Sequence, residues 1–153
     1  MYKFCVLRYI FRLDGEIMEE ANKLIEYLIA IQSFAKDIHY NAKGDAFYSK
    51  HLLADRIQEN IQEYIDGIKE VKFLGNDEKP LTSGEYLSRA TSLIPMLSED
   101  DKENFTSMEN LLVNALTVIE QSQDLTFGEE NLYGNIAENL QQSLGLVNRQ
   151  IKD

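Results

Sequence analysis

The chain has 153 residues, 44% hydrophobic and 27% charged, which is enough for one folded domain with a core and too little for two large ones. Fifteen Lys and Arg against 26 Asp and Glu leave a formal charge of −11, a surface that repels phosphate backbones. The single cysteine, Cys5, excludes a scaffold of intrachain disulfides and makes a reducing, cytoplasmic compartment the default.

Residues 1–14 read as an N-terminal arm of uncertain role. The apolar run from Met1 to Leu13 is interrupted by Lys3, Arg8 and Arg12. It is short of the roughly 20 residues that cross a bilayer. Leu13-Asp14-Gly15-Glu16 does not resemble a cleavage site, so neither a membrane anchor nor an exported leader is expected. A packing arm, a short strand and an upstream translation artefact all stay open for this stretch.

Residues 15–153 read as one all-α bundle domain. Ile17, Ala21, Leu24, Leu28, Ile31, Ala35 and Ile38 recur at alternating four and three residues, the core stripe of a first long helix. Asn41 to Asp45 form a turn signal, with Gly44 suited to a left-handed position and Asp45 to an N-cap. A second helix follows, expected to run unbroken to about Leu74-Gly75-Asn76. The capping chemistry of Ser83-Gly84-Glu85 before Pro95 predicts a short crossover helix. A third long helix begins after Ser98-Glu99-Asp100-Asp101 and buries Phe105, Met108, Leu112, Ala115 and Ile119. After a break at residues 124–128, Leu132, Ile136, Leu140, Leu144, Val147 and Ile151 mark a fourth, weakened by Gly134 and Gly145. Four long helices with a long connection between the second and third fit a ferritin-like four-helix bundle, although periodicity alone supports many other bundles.

The second helix carries the chemistry. On a wheel of about 100° per residue with His51 at zero, Asp55, Asp66 and Glu70 fall near 40°, 60° and 100°. Leu53, Ile57, Ile61, Tyr64, Ile65, Ile68 and Val71 fall on the other side, so the polar quartet faces away from the subunit core. Residues 51 and 66 lie about 22 Å apart along a helix, too far to share one ion. The pairs His51/Glu70 and Asp55/Asp66 share a midpoint between Asn60 and Ile61. An antiparallel copy about that point would set His51 beside the partner subunit's Glu70 and Asp55 beside the partner subunit's Asp66, a self-complementary dimer with two equivalent sites. Neutral imidazoles and carboxylates suit iron in both oxidation states, whereas structural zinc prefers thiolates and calcium rarely takes histidine. The competing reading is that these acids form a solvated outer face.

The stretch from Ile38 to His51, continuing through Asp55, Asp66, Glu70 and Leu74-Gly75, resembles the Dps family of mini-ferritins. It has a histidine, an aromatic residue, a glycine turn with Phe47 three residues on, a second histidine twelve residues after the first, and acids four, fifteen and nineteen beyond that. The resemblance implies a hollow dodecamer with intersubunit ferroxidase centres. Each would take His39, His51 and Asp55 from one chain, with the partner subunit's Asp66 and Glu70 completing it. It also implies oxidation of Fe²⁺ to Fe³⁺ by hydrogen peroxide or O₂, and storage of the ferric product. Two departures stand out. Tyr40 takes the place where the family most often has tryptophan, and lysine-rich tails of the kind that bind DNA are not seen, so weak or no DNA binding is expected. Asp124, Glu129 and Glu130 are candidates for lining an entry pore, against the alternative that they cap a helix and complement its dipole. A DNA-compacting protein with secondary iron chemistry and a non-catalytic helical assembly protein are the other function classes the sequence allows.

Overall fold

A computed structural model describes residues 14–152, so the expectations for residues 1–13 lie outside the described residues. The described chain is helical: α1 (Asp14–Asn41), α2 (Phe47–Gln58), α3 (Ile61–Ile68), a π turn (Lys69–Phe73), a 3₁₀ turn (Leu74–Asn76), α4 (Ser83–Thr91), α5 (Asp101–Gln121) and α6 (Phe127–Ile151). Helix α1 packs against α2 and α3 on one side and α5 on the other, α6 closes the square against α5, α2 and α3, and α4 crosses over α1. This is the ferritin-like four-helix bundle with its short crossover helix.

The core follows the predicted stripes. Ala21, Leu24, Leu28, Ile31, Ala35 and Ile38 of α1 are fully buried, while the side chain of Ile17 lies outside the described residues. They meet Phe105, Met108, Leu112 and Ala115 from α5 and Ile136, Leu140 and Val147 from α6. Ile119, Leu132, Leu144 and Ile151 are half-buried at the edges of their stripes. Gly134 and Gly145 face open space, so their cost is one of helix propensity and not of packing.

Capping sets the boundaries. Helix α4 opens with a full capping box between Thr82 and Glu85, and α6 with another between Thr126 and Glu129, each satisfying backbone N–H groups that have no helical partner. Asp100 caps α5 by accepting from the backbone N–H of Lys102. The Glu85 carboxyl is held below the usual carboxylate range, chiefly by the hydrogen bond from the Thr82 backbone and then by the Thr82 hydroxyl.

Three details differ from the sequence expectations. Gly44 is left-handed as anticipated, at φ 73°, but the residue before α2 is Ala46, also left-handed at φ 58° and making no side-chain cap, in place of Asp45. The second helix is not continuous. Glu59 at φ −57°, ψ 135° and Asn60 at φ 67°, ψ −6° make a type II turn between α2 and α3, with Asn at the position that requires positive φ. Val71, expected in the core, is exposed. Lys72, which continues the α stripe of Ile61, Ile65 and Ile68, is buried instead, with Phe73 beside it in the π turn.

Candidate metal centre

The turn between α1 and α2 brings the last turn of one helix beside the first of the next. The Ala42 N–H closes α1 on the Ile38 carbonyl at 2.9 Å, and the Phe47 N–H bonds the Gly44 carbonyl at 3.1 Å. His39 and His51 are thereby stacked, ring centroids 3.5 Å apart and planes 22° from parallel. Tyr40 contacts His39 edge-on at 4.9 Å and Phe47 lies against His51 at 5.4 Å.

The pair is locked reciprocally. His39 Nδ1 donates to the His51 carbonyl at 2.9 Å, and His51 Nδ1 donates to the His39 carbonyl at 2.7 Å. A carbonyl oxygen only accepts, so both Nδ1 atoms carry a proton, and the neutral form of either ring has its lone pair on Nε2. The His39 carbonyl belongs to the last turn of α1, where no further helical N–H is available, and the imidazole satisfies it. Two nitrogen donors are therefore oriented by backbone alone, as metal-binding imidazoles commonly are through their second nitrogen.

The same corner is pinned to α5. Lys50, next to His51, donates from Nζ to Asp101 at 3.0 Å and to the Lys43 carbonyl at 3.3 Å, and the Lys43 N–H donates to the same Asp101 oxygen at 3.2 Å. The Lys50 and Asp101 side chains are 18% and 11% exposed, so this contact is screened far less than a surface pair. Lys43 also meets Glu99 at 2.6 Å on the open surface, and each holds the other's charged form. Sequence reasoning read Asp101 only as a dipole partner at a helix start. Nothing in the local spacing signals that a residue 51 positions away answers Lys50.

Asp55, Asp66 and Glu70 are exposed. Asp55 accepts from Gln58 Nε2 at 2.9 Å and Asp66 from Gln62 Nε2 at 3.0 Å, each one turn away on its own helix. Among the described residues no three His, Cys, Asp or Glu side chains gather into a metal-binding group. One chain thus brings His39 and His51 together and leaves Asp66 and Glu70 on the far side of the break at Glu59 and Asn60. The unbroken wheel drawn through all four residues of the quartet does not hold across that break.

Of the pore candidates, Glu129 is corrected. Its side chain is 2% exposed, 3.3 Å from Lys72 Nζ, and one oxygen accepts the Thr126 N–H at 2.9 Å. It cannot line a water-filled channel while buried in that ion pair. Glu130 and Asp124 are exposed, Asp124 in a left-handed turn at φ 55°. Beside Glu129, burial first and then the charges of Glu129 and Glu20 push the Tyr133 phenol far up.

No family model and no curated protein matches this sequence. Solved structures do match, across nearly the whole chain. A C-terminal deletion mutant of Mycobacterium smegmatis Dps superposes with a TM-score of 0.76 at 17% identity, covering 92% of this chain and 100% of that one. Dps from Thermosynechococcus elongatus gives 0.73 at 16% identity, over 91% of this chain and 92% of the other. A Dps protein from Vibrio cholerae O1, named as a member of a broad superfamily of ferritin-like diiron-carboxylate proteins, gives 0.65 at 18% identity, over 91% of each chain. No helix among the described residues is long and apolar enough to cross a membrane. The fold is that of Dps proteins.

Proposed function

We propose that this chain is a Dps-like ferroxidase and iron store, working in the cytoplasm as a homo-oligomer of dyad-related dimers, most simply a dodecameric shell. Its substrate is Fe²⁺ and its oxidant hydrogen peroxide, with O₂ as the alternative. The observation that carries the reading is the reciprocal histidine pair on a Dps-type bundle. It leaves each ring an Nε2 lone pair for a metal, while Asp66 and Glu70 of the same chain lie beyond the break at Glu59 and Asn60.

In this reading His39, His51 and Asp55 of one chain hold iron together with the partner subunit's Asp66 and the partner subunit's Glu70. Carboxylates offset the charge that builds up as iron becomes ferric, and the imidazoles, already oriented by the carbonyls of His51 and His39, need no rearrangement to bind. Two Fe²⁺ each give up one electron. Peroxide takes the pair and, with two protons, leaves as two waters. Removing Fe²⁺ and peroxide together withdraws both reagents of hydroxyl-radical chemistry, which makes protection against oxidative stress the physiological consequence. The −11 charge favours collecting cations and disfavours DNA, so DNA binding is weak or absent.

The direct test is a crystal soaked in Fe²⁺, read by anomalous scattering at the iron edge, alongside native mass measurement. A metal peak between His51 and the partner subunit's Asp66, in a particle of about twelve chains, is the expected result. A monomer with no peak there would sink the proposal.

A further inference from the structure

Glu70 sits in a segment wound differently from the helix it extends. In the π turn Lys69–Phe73 the Leu74 N–H is shared between the Glu70 and Lys69 carbonyls, the acceptors of an α turn and a π turn. If that N–H went wholly to Glu70, the segment would tighten and the residues on either side would rotate against each other. Something must hold it open.

The inner side of the turn is tied to the start of α6. Ile61, Ile65 and Ile68 anchor the preceding helix in the core. The next residue on that stripe is Lys72, whose ammonium meets Glu129 at 3.3 Å with both side chains almost fully buried, 3% and 2% exposed. Asn76 Nδ2 donates to the Lys72 carbonyl at 2.7 Å and to Glu129 Oε1 at 3.3 Å. Glu129 is itself fixed by the capping box that starts α6. A buried ion pair adds little stability over apolar residues of the same volume, but separating its partners strands a buried charge, which opposes any movement that pulls them apart.

We propose that Lys72, Glu129 and Asn76 are positioning residues for the metal centre. They clamp the π turn to the first turn of α6 and so fix where the Glu70 carboxylate stands relative to the dyad. The inference rests on the reading of Glu70 as an iron ligand. The clamp touches no iron. It acts only through the backbone that carries Glu70.

A double-mutant cycle on the assembled protein tests it, with Co²⁺ as the probe and the visible d–d spectrum as the readout. Lys72→Met with Glu129→Gln removes the pair without leaving a lone buried charge, and circular dichroism and native mass report folding and assembly. Loss of a supporting partner typically weakens metal affinity by about 10- to 100-fold. That loss is expected in the otherwise wild-type protein, with less than about a twofold further loss when Glu70→Gln is already present. Equal losses on both backgrounds, or none in the wild-type protein, would overturn the inference. Asn76→Ala gives a second arm with no change of charge and the same expected pattern, should the paired variant not fold. Glu70→Gln alone leaving Co²⁺ affinity unchanged would overturn the ligand reading, and this inference with it. A Glu70 effect without a clamp effect would overturn the clamp alone.

Discussion

The two ends of the segment from residue 39 to residue 76 solve opposite problems. At the first end, His39 and His51 are half-buried, stacked and tied to each other's backbone, so one chain completes their orientation. At the other, Asp66 and Glu70 are exposed carboxylates, Asp66 steadied by a glutamine of its own helix. Under the proposed function, that difference divides the labour of a site shared between chains. The histidine nitrogens would be rigid before assembly, because their hydrogen bonds are internal. The carboxylates would gain surroundings from a second copy, and water solvates them until then.

The largest effects should come from single ligand changes, and the two ends should fail differently. Asp66→Asn and His51→Ala are each expected to slow peroxide-dependent loss of Fe²⁺ by about 100-fold or more, the upper end of what even an outer partner of a metal ligand is worth. Only the histidine change should also destabilise the fold. It leaves the His39 carbonyl without its donor, at a cost of about 1 kcal/mol in thermal or urea unfolding. Asp66→Asn removes a charge from a chain at −11 and should leave the unfolding midpoint unchanged or slightly raised. A matching loss of stability in both variants would break the contrast.

Mixing sharpens the same comparison. A dimer of one His51→Ala chain and one Asp66→Asn chain puts both lesions into one of its two centres and leaves the other centre intact. Refolded together in equal amounts, two inactive variants should recover about one quarter of the wild-type rate per chain, since half the dimers are mixed and each holds one working site of two. Recovery absent in an assembled particle of wild-type mass would mean that each chain carries its whole site.

Much of this was open to reading in the sequence, for a definite reason. The stripes of α1, α5 and α6 repeat over many turns, so a period of 3.6 residues has few rivals there. Gly44 announced its turn because its left-handed backbone suits glycine. The break at Glu59 and Asn60 carries neither Gly nor Pro, and asparagine tolerates positive φ without marking it. The apolar spacing of Ile57, Ile61 and Ile65 runs straight across it, so a continuous helix was the natural inference. Lys72 was legible in part. It continues the stripe of Ile61, Ile65 and Ile68 in the α register, but a lysine on a core face reads as an error of phase until Glu129 is seen opposite it. The stacking of His39 on His51 spans a turn in which Ala46 adopts a left-handed backbone, which its residue type argues against.

That alanine yields the smallest and most discriminating prediction. A non-glycine residue at φ 58° carries a steric penalty of about 1–2 kcal/mol, and Ala46→Gly removes it while adding entropy to the unfolded chain. The net is a stabilisation of about 0.5–1 kcal/mol, measured as a shift of the urea midpoint at unchanged slope. Asn60→Gly should do less, because asparagine already tolerates the left-handed region. The value lies in where the two glycines fall. Ala46 lies inside the loop that joins the histidines, whereas Asn60 lies between the rigid end and the exposed one. If the histidine pair owes its orientation to the reciprocal carbonyl bonds, Ala46→Gly should gain stability without losing Co²⁺ affinity. If the loop backbone were what aligned the rings, the same substitution would loosen them, and affinity would fall even as stability rose.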